Sequence, residues 1–184
     1  HYGKQVDIEA LDGDRCGEII RCHMSNHLGQ MVTGDRVIWR PSPDAGVVVA
    51  VEERHSELKR PTRHGELKQV ASNIDAILIV IAVEPHAHAN LIDRYLVASE
   101  LSGIEPIIVL NKTDLLDNKH KERLIPLLDG YAEIGYRTLY ASTENSNGLD
   151  ELHEFLKDRT TVFVGQSGVG KSSLVNALLP GVDL

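Results

Sequence analysis

The sequence predicts two parts of different fold class: a small all-β part at the N-terminus, followed by an α/β domain with a mainly parallel sheet. Three observations support this division. Several short runs with strand character, separated by turn signals, fall within about the first 50 residues. From Asn73 onward, short apolar runs alternate with helical segments, which is the pattern of βα units. A glycine-rich motif then joins the last apolar run to the last helical segment.

The all-β part is recognised from its alternating residues and its turns. Strands are predicted at 5–11, 18–24, 36–40 and 46–51, and turns at Asp12-Gly13, Thr33-Gly34-Asp35 and Ser42-Pro43-Asp44. Four or five short strands indicate a small barrel. The pattern alone does not distinguish an OB-fold from an SH3-like topology.

The α/β part begins with a buried strand. The run 77–83 is apolar, rich in β-branched residues and far too short to span a membrane. A first helix follows and is ended by Gly103. Its apolar residues at helical spacing are Leu91, Tyr95, Ala98 and Leu101. Further strands are predicted at 106–110, 136–141 and 161–164, and further helices at 119–134, 149–156 and 172–179.

The glycine-rich motif has the sequence of a phosphate-binding P-loop. Its backbone amides must turn inward around the phosphates, and this needs glycine because a Cβ would obstruct those conformations. Lys171 would bring positive charge to the terminal phosphates, and Ser172 would place its hydroxyl on a Mg²⁺ that bridges them. The motif residues are Gly165, Gln166, Ser167, Gly168, Val169, Gly170, Lys171 and Ser172, with Ser173 next as a further nucleotide-binding candidate.

A second motif, Asn111-Lys112-Thr113-Asp114, predicts a guanine-binding loop. It follows the apolar run 106–110, so it lies at the carboxyl end of a strand, where α/β sheets bind ligands. Asp114 can accept hydrogen bonds from N1–H and the N2 amino group of guanine, a donor pair that adenine lacks. Asn111 would contact the base and tie this loop to the P-loop, and the stem of Lys112 would cover the base face.

A third segment supports the prediction of a guanine site. Ser142-Thr143 follows the predicted strand 136–141, at the position where GTPases carry a Ser-Ala pair whose backbone amide contacts the guanine carbonyl oxygen. The order of the motifs is unusual, because the guanine motif precedes the P-loop, which comes first in an ordinary GTPase. We therefore interpret the domain as a circularly permuted P-loop GTPase domain. Permutation preserves the loops that make the site, since domain termini often lie close together.

These residues carry a resemblance to a known family. The chain resembles the ribosome small-subunit-dependent GTPases, the RsgA (also called YjeQ) family. Beyond the nucleotide motifs, the resemblance includes Thr33-Gly34-Asp35-Arg36-Val37, Arg60-Pro61, the run NLIDRYL at 90–96 and the run GQSGVGKSSLVNALLPG at 165–181. Members of the family have an N-terminal OB-fold, a permuted G domain and a C-terminal zinc-binding domain.

The resemblance implies the domain organisation and the activity. It implies an OB-fold RNA- and ribosome-binding domain at 1–53, a basic linker at 54–72 and an incomplete permuted G domain at 73–184. Members bind the small (30S) ribosomal subunit and hydrolyse GTP there late in subunit maturation. The cofactors implied are GTP or GDP and Mg²⁺, with Zn²⁺ expected only in the family's C-terminal domain, which is absent here. We expect a cytoplasmic monomer that contacts 16S rRNA and no membrane.

The catalytic residues are unknown from these 184 residues. The family's switch regions follow the P-loop helix, so every group expected to activate water lies outside the chain. A competing hypothesis is therefore a GTP-gated rRNA-binding module without hydrolysis. A P-loop kinase using ATP is a third class, but it gives no reason for Asn111 and Asp114. The alternatives without a ligand are a plain glycine-rich turn and a loop with a helix N-cap at Asp114 or Asp117.

The charge is distributed unevenly along the chain. The net charge is −8, but residues 1–70 hold 10 Lys and Arg against 11 Asp and Glu, while residues 71–184 hold 9 against 16. The acidity therefore belongs to the α/β part. The segment 54–72 concentrates cations and is a candidate RNA contact, with a solvated linker as the alternative. Its cations are Arg54, Lys59, Arg60, Arg63 and Lys68, and its acids are Glu57 and Glu66.

The cysteines and histidines carry no metal motif. We place Cys16 and Cys22 in predicted strands without metal-ligand spacing, so we predict reduced, buried thiols and not the alternatives of a disulfide or a metal site. His86 and His88 follow the strand 77–83, near the expected nucleotide, and a solvated loop is the favoured interpretation for them.

Overall fold

In a computed structural model, the described residues are 5–43, 45–62, 65–145 and 148–179. They fall into two compact units, His1–Asn73 and Ile74–Leu184. Each unit has its own hydrophobic cluster. Among the described helices, none is long and apolar enough to cross a membrane.

The N-terminal unit is built on a four-stranded sheet. Its strands are β1 (Gln5–Glu9), β2 (Ile19–Met24), β3 (Val37–Pro41) and β4 (Gly46–Val51), in the order β1-β2-β4-β3. The β1–β2 and β3–β4 pairs are antiparallel, and the β2–β4 pair is parallel. The described strands agree with an all-β part, while the OB-fold itself stays a prediction.

The core of this unit is small and includes one of the two cysteines. The buried side chains are Ala10, Ile20, Cys22, Met31 and Val48. Burial raises the pKa of the Cys22 thiol.

The prediction of a buried thiol is wrong for Cys16. This residue directly follows a 3-10 turn, Gly13–Arg15, and its side chain is exposed. Apolar alternation in the sequence does not extend through the turn, so the strand pattern gave no reliable position for it.

The segment 54–72 differs from the expected linker. It contains strands β5 (Glu57–Pro61) and β6 (Leu67–Ser72), which pair in an antiparallel hairpin. Its charged residues obscured the alternation of apolar residues that usually reveals a strand.

A buried ion pair fixes the hairpin within the N-terminal unit. The Asp35 side chain is 2% exposed and accepts hydrogen bonds from Arg54 Nε at 2.6 Å and Nη2 at 2.8 Å. It also accepts from Ser72 Oγ at 2.6 Å and from the Val32 amide at 2.8 Å. Gly34 allows the turn at 33–35 to approach the backbone of Ser72 closely. Its φ is +92°, and a Cβ there would lie 2.1 Å from the Ser72 carbonyl oxygen. The predicted turn at 33–35 is thus held against β6.

The C-terminal unit has a four-stranded, fully parallel sheet, as the sequence predicts. The strands are β7 (Ala76–Ala82), β8 (Glu105–Asn111), β9 (Arg137–Tyr140) and β10 (Thr161–Val164), in the order β10-β7-β8-β9. The helices are α1 (Ala89–Ser102), α2 (Asn118–Glu133), α3 (Asp150–Leu156) and α4 (Lys171–Leu178). Strands and helices alternate along the chain, so the crossovers place each strand-end loop at the same edge of the sheet.

Helices cover both faces of this sheet. On one face, Leu78 and Val80 of β7 cluster with Phe155 of α3 and Leu174 of α4. The intervening residues Ile77, Ile79 and Ile81 are also buried, and α1 contacts β7 and β8 while α2 contacts β9. Burial on both faces explains why β7 is a continuous apolar run without alternation.

The predicted apolar stripe of α1 is wrong by one position. The buried residues are Ile92, Leu96 and Ser99, whereas Leu101 is 84% exposed. Ser99 is buried because its hydroxyl donates to the Tyr95 carbonyl oxygen at 2.8 Å, so a polar residue occupies the core face. The predicted end is confirmed, since Gly103 adopts a left-handed conformation at the C-cap.

Candidate nucleotide-binding site

The loop between β10 and α4 has the backbone shape expected of a P-loop. Gly165, Gly168 and Gly170 have φ values of +142°, +83° and +92°. A Cβ on Gly165 would lie 2.2 Å from the Val80 carbonyl oxygen, and one on Gly170 would lie 2.5 Å from Asn111 Nδ2. These glycines therefore allow the loop to approach both β7 and the guanine motif.

The P-loop is anchored by an apolar residue and by the motif lysine. Val169 is 2% exposed and packs into the core cluster of this unit. Lys171 Nζ donates to the carbonyl oxygens of Gly165 at 3.0 Å and Gln166 at 2.9 Å, which holds the ammonium group inside the loop. The remaining polar residues of the motif are exposed; they are Gln166, Ser167, Ser172 and Ser173.

Asn111 joins the guanine motif to the P-loop. It ends β8, is 3% exposed, and donates from Nδ2 to the Val169 carbonyl oxygen at 2.9 Å. This is the connection that the sequence predicts for it. Its other amide atom, Oδ1, is buried without a hydrogen-bond partner among the described residues. A buried acceptor without a donor is costly, so this oxygen is suited to a bound donor.

Lys112 links the guanine motif to two further loops. Its backbone is left-handed, with φ 59°, and its Nζ donates to the carbonyl oxygens of Glu84 and Gly168, each at 2.8 Å. Sequence reasoning missed Glu84, because a backbone carbonyl acceptor carries no side-chain signature. Thr113 fastens the other side of the loop, since its amide and Oγ1 donate to the Ala141 carbonyl oxygen at 3.2 and 3.1 Å.

Ser142 positions the carboxylate expected to read the base. Asp114 is exposed, and its Oδ1 accepts a hydrogen bond from Ser142 Oγ at 2.6 Å. Ser142 is fully buried, and its Oγ accepts from the Glu144 amide at 3.1 Å. Its amide donates to the Gly148 carbonyl oxygen at 2.9 Å, where a Cβ on Gly148 would lie 2.3 Å from the Ser142 oxygen. The exposed Thr143 lies between these fixed residues.

Asp117, rather than Asp114, caps the helix that follows. Its side chain accepts from the His120 amide at 2.8 Å at the N-terminus of α2. This backbone hydrogen bond lowers the pKa of the Asp117 carboxyl. The capping alternative thus applies to Asp117 and leaves the Asp114 side chain facing Ser142.

His86 and His88 contact each other in the loop after β7. Their rings are perpendicular, with centroids 4.9 Å apart, and both residues are exposed. The favoured interpretation of a solvated loop is consistent with this exposure. Across the described ranges, no group of three or more potential ligands could hold a metal ion.

The strand-end loops that carry the two motifs meet through Asn111 and Lys112. A parallel sheet, a P-loop between β10 and α4, and a guanine motif after β8, with β7 between these two strands, define an α/β domain of the P-loop GTPase class.

Comparison with known proteins gives the family. The model of the RsgA GTPase family matches residues 51–184, so the chain belongs to the RsgA GTPase family. The small ribosomal subunit biogenesis GTPase RsgA of Hahella chejuensis is 52% identical over the whole chain, which covers 53% of that relative. The protein of the same name from Chromohalobacter salexigens is 54% identical, with 54% of its length covered. The chain therefore spans about half the length of these relatives.

Two solved structures share the fold. YjeQ from Thermotoga maritima superposes with a TM-score of 0.81 at 32% identity, covering 100% of this chain and 64% of that one. YloQ, described as a circularly permuted GTPase, gives a TM-score of 0.74 at 30% identity, covering 98% of this chain and 67% of that one. The resemblance to the RsgA family is thus confirmed.

Proposed function

We propose that this chain is the guanine-nucleotide-binding part of a GTPase of small ribosomal subunit biogenesis. In the longer protein, it would bind the small (30S) subunit in the cytoplasm and hydrolyse GTP to GDP and phosphate late in maturation. Family membership and the names of the relatives support this assignment. The N-terminal unit would contribute the contact with 16S rRNA, with the OB-fold expected from the resemblance.

The hydrogen bond from Asn111 to the Val169 carbonyl oxygen carries the proposal. It joins the loop expected to read the base to the loop expected to bind the phosphates. Two isolated motif matches would not need to be connected in space. Their connection through a side chain that is 3% exposed supports one shared nucleotide site.

The base would be selected by Asp114 and the phosphates by the P-loop. Ser142 holds the Asp114 carboxylate, which would accept from the two guanine donors. Lys171 already lies among the P-loop carbonyl oxygens and would donate to the phosphates instead when nucleotide binds. Backbone amides at the positive-φ glycines would stabilise the charge on the transferred phosphoryl group.

The residues present fit a magnesium ion held mainly by nucleotide. The Ser172 side chain is exposed at the second position of α4 and has no hydrogen bond to another described residue. A single hydroxyl ligand suits Mg²⁺, which usually keeps several waters and binds substrate phosphates. When bound, the ion would neutralise charge on the terminal phosphates.

The base-reading role is tested by an Asp114→Asn variant. We expect this variant to lose its preference for guanine and to bind xanthosine diphosphate, because an amide donor matches the additional carbonyl oxygen of xanthine. Binding is measured with fluorescent GDP and Mg²⁺, in competition with GDP, GTP, ATP and xanthosine diphosphate.

Asp117→Asn is the matched control. It makes the same aspartate-to-asparagine substitution three residues further along the chain. Asparagine caps a helix as well as aspartate does, so α2 should be unaffected. The control should keep guanine selectivity. Retained selectivity in Asp114→Asn would contradict the assignment of this residue, and competition by ATP in the wild-type chain would favour a kinase.

Hydrolysis is tested separately from binding. GTP turnover is measured for the 184-residue chain with and without purified small subunits. Stimulated turnover would support the GTPase, whereas nucleotide-dependent association with subunits and no turnover would support a GTP-gated rRNA-binding module.

A further inference from the structure

The structure sorts the cations of the hairpin by their partners. Arg54 is engaged with the buried Asp35. Lys59 Nζ lies 2.7 Å from Glu57 Oε2. Neither side chain is therefore free to bind an external anion without breaking an ion pair.

Arg60 and Lys68 are the remaining cations of the hairpin strands. Both are exposed, and neither side chain forms an ion pair or hydrogen bond with another described residue. Arg63 lies outside the described residues. Of the cations in the segment 54–72, only these two are unpaired among the described residues.

The two unpaired cations lie directly opposite each other. The antiparallel register pairs Arg60 with Lys68, so their side chains lie on the same face of the hairpin. Like charges in this arrangement repel and destabilise a hairpin. A bound anion would convert that repulsion into attraction for both groups.

Neighbouring charges do not cancel this pair. Glu57 is occupied by Lys59 and Arg54, and its pKa is lowered by the hydrogen bond from Lys59. A cleft of about 430 Å³ beside the hairpin includes Lys59 and Lys68 with Glu57 and Glu66, so its charges balance. Lys68 lines this cleft but Arg60 does not, so the expected anion contact is at the point where Lys68 lies opposite Arg60.

We propose that Arg60 and Lys68 together bind phosphate groups of an RNA backbone. This inference rests on the proposed function, because the small subunit would present RNA phosphates at high density. Arginine and lysine both bind phosphate, the first through its planar fork and the second as a point charge. The chain carries a net charge of −8, so attraction to RNA requires a local positive site of this kind.

The test compares two double variants with equal loss of charge. Arg60→Gln with Lys68→Gln removes the proposed contact, and Lys119→Gln with Lys121→Gln removes two exposed lysines from α2. Association of the fluorescently labelled 184-residue chain with purified small subunits is measured over a range of salt concentrations. GDP affinity and the thermal midpoint are measured for each variant.

We expect the hairpin variant to bind subunits roughly tenfold more weakly, and the slope of log affinity against log salt to shrink by about 1.4 to 1.8. Its thermal midpoint should not fall, because the repulsion between the two cations is removed. GDP affinity should remain that of the wild type. The α2 variant should keep wild-type subunit binding.

Several results would overturn the inference. Unchanged subunit affinity in the hairpin variant would contradict the proposed phosphate contact of Arg60 and Lys68, while the proposed function would still stand. An equal loss in the α2 variant would show a general effect of net charge. A weaker complex with an unchanged salt slope would indicate a protein partner. If the wild-type chain binds GDP but no subunits, the inference and the ribosomal half of the proposed function both fail.

Discussion

In the C-terminal unit, the candidate site residues are held by short hydrogen bonds between loops, whereas in the N-terminal unit they are exposed charges on a hairpin. Asn111 and Ser142 are buried and each bonds to a residue far away in sequence. Arg60 and Lys68 are exposed and bond to no other described side chain. The candidate nucleotide site is therefore preorganised by its fold, while the proposed RNA contact depends on charge alone.

The two units also use charged side chains differently. In the N-terminal unit, Asp35 and Arg54 hold the hairpin to the rest of the fold and take no part in a proposed site. In the C-terminal unit, the partly buried Lys171 side chain donates its hydrogen bonds, within the described residues, to carbonyl oxygens of the P-loop. Stability and ligand binding should thus be separable by mutation, and three substitutions test this separation.

The largest effect is expected from Asp35→Ala. It leaves the Arg54 guanidinium, whose side chain is 19% exposed, without its main partner. Breaking such a pair should cost about 3 to 5 kcal/mol of the free energy of unfolding of the N-terminal unit. Urea unfolding is monitored by the fluorescence of Trp39, the single tryptophan of the sequence. GDP affinity should stay unchanged.

Asp7→Ala is the control for this prediction. Asp7 pairs with Arg21 in a solvent-exposed position, so its removal should change stability little. A parallel loss of GDP affinity in Asp35→Ala would break the comparison, because the units would then not act separately.

The same ion pair predicts a dependence on acid. Burial acts to raise the pKa of Asp35, but hydrogen bonds from Arg54, Ser72 and Val32 outweigh it and the pKa is lowered. A lowered pKa stabilises the folded state above the unfolded value of about 3.9, and this stability is lost as the pH falls further. The Trp39 transition of the wild type should therefore weaken below about pH 4 more steeply than that of Asp35→Ala.

Lys171→Ala should abolish tight nucleotide binding. Loss of charge-assisted hydrogen bonds to two phosphates should weaken GDP affinity roughly hundredfold or more. Titration with fluorescent GDP gives the affinity, and the Trp39 transition should not move. Lys157→Ala is the control. Lys157 directly follows α3, and its side chain forms an exposed ion pair with Glu154 of that helix. Unchanged GDP affinity in Lys171→Ala would exclude the P-loop assignment.

Ser142→Ala should have the smallest effect of the three. It removes the donor that holds Asp114 Oδ1, so GDP affinity should fall about tenfold, near 1.4 kcal/mol. The same titration measures it, with Ser102→Ala as a control because that hydroxyl bonds only within α1. If both serine variants bind GDP equally well, Ser142 does not position the base-reading carboxylate.

Much of the fold was predictable because the spacing of apolar residues along the chain indicates which faces of a helix or strand are buried. The run of β7 is apolar throughout, and both of its faces are covered by helices. The stripe of α1 was misplaced because Ser99 satisfies its hydroxyl within the helix and is buried despite its polarity. The hairpin of β5 and β6 was missed because charged residues dominate its sequence.

The candidate site was predictable to a similar extent. Side chains in a spaced motif, such as Asn111 and Asp114, are visible in the sequence together with the order of the motifs. Backbone acceptors at Val169, Glu84 and Gly168 are not, because any residue supplies a carbonyl oxygen. Which carbonyl a side chain reaches depends on how the loops approach one another.

The sequence by itself determined the class of each unit, the order of the two motifs and the residue types proposed to bind a guanine nucleotide. These properties depend on the spacing of nearby residues and on the backbone freedom of glycine, and both can be read from short stretches of sequence. Only the tertiary structure decided which charges are paired. Arg54 and Arg60 are equivalent in the sequence, yet one contacts the buried Asp35 and the other faces solvent. The partners of a charged side chain come from distant segments, and folding alone brings them within hydrogen-bond distance.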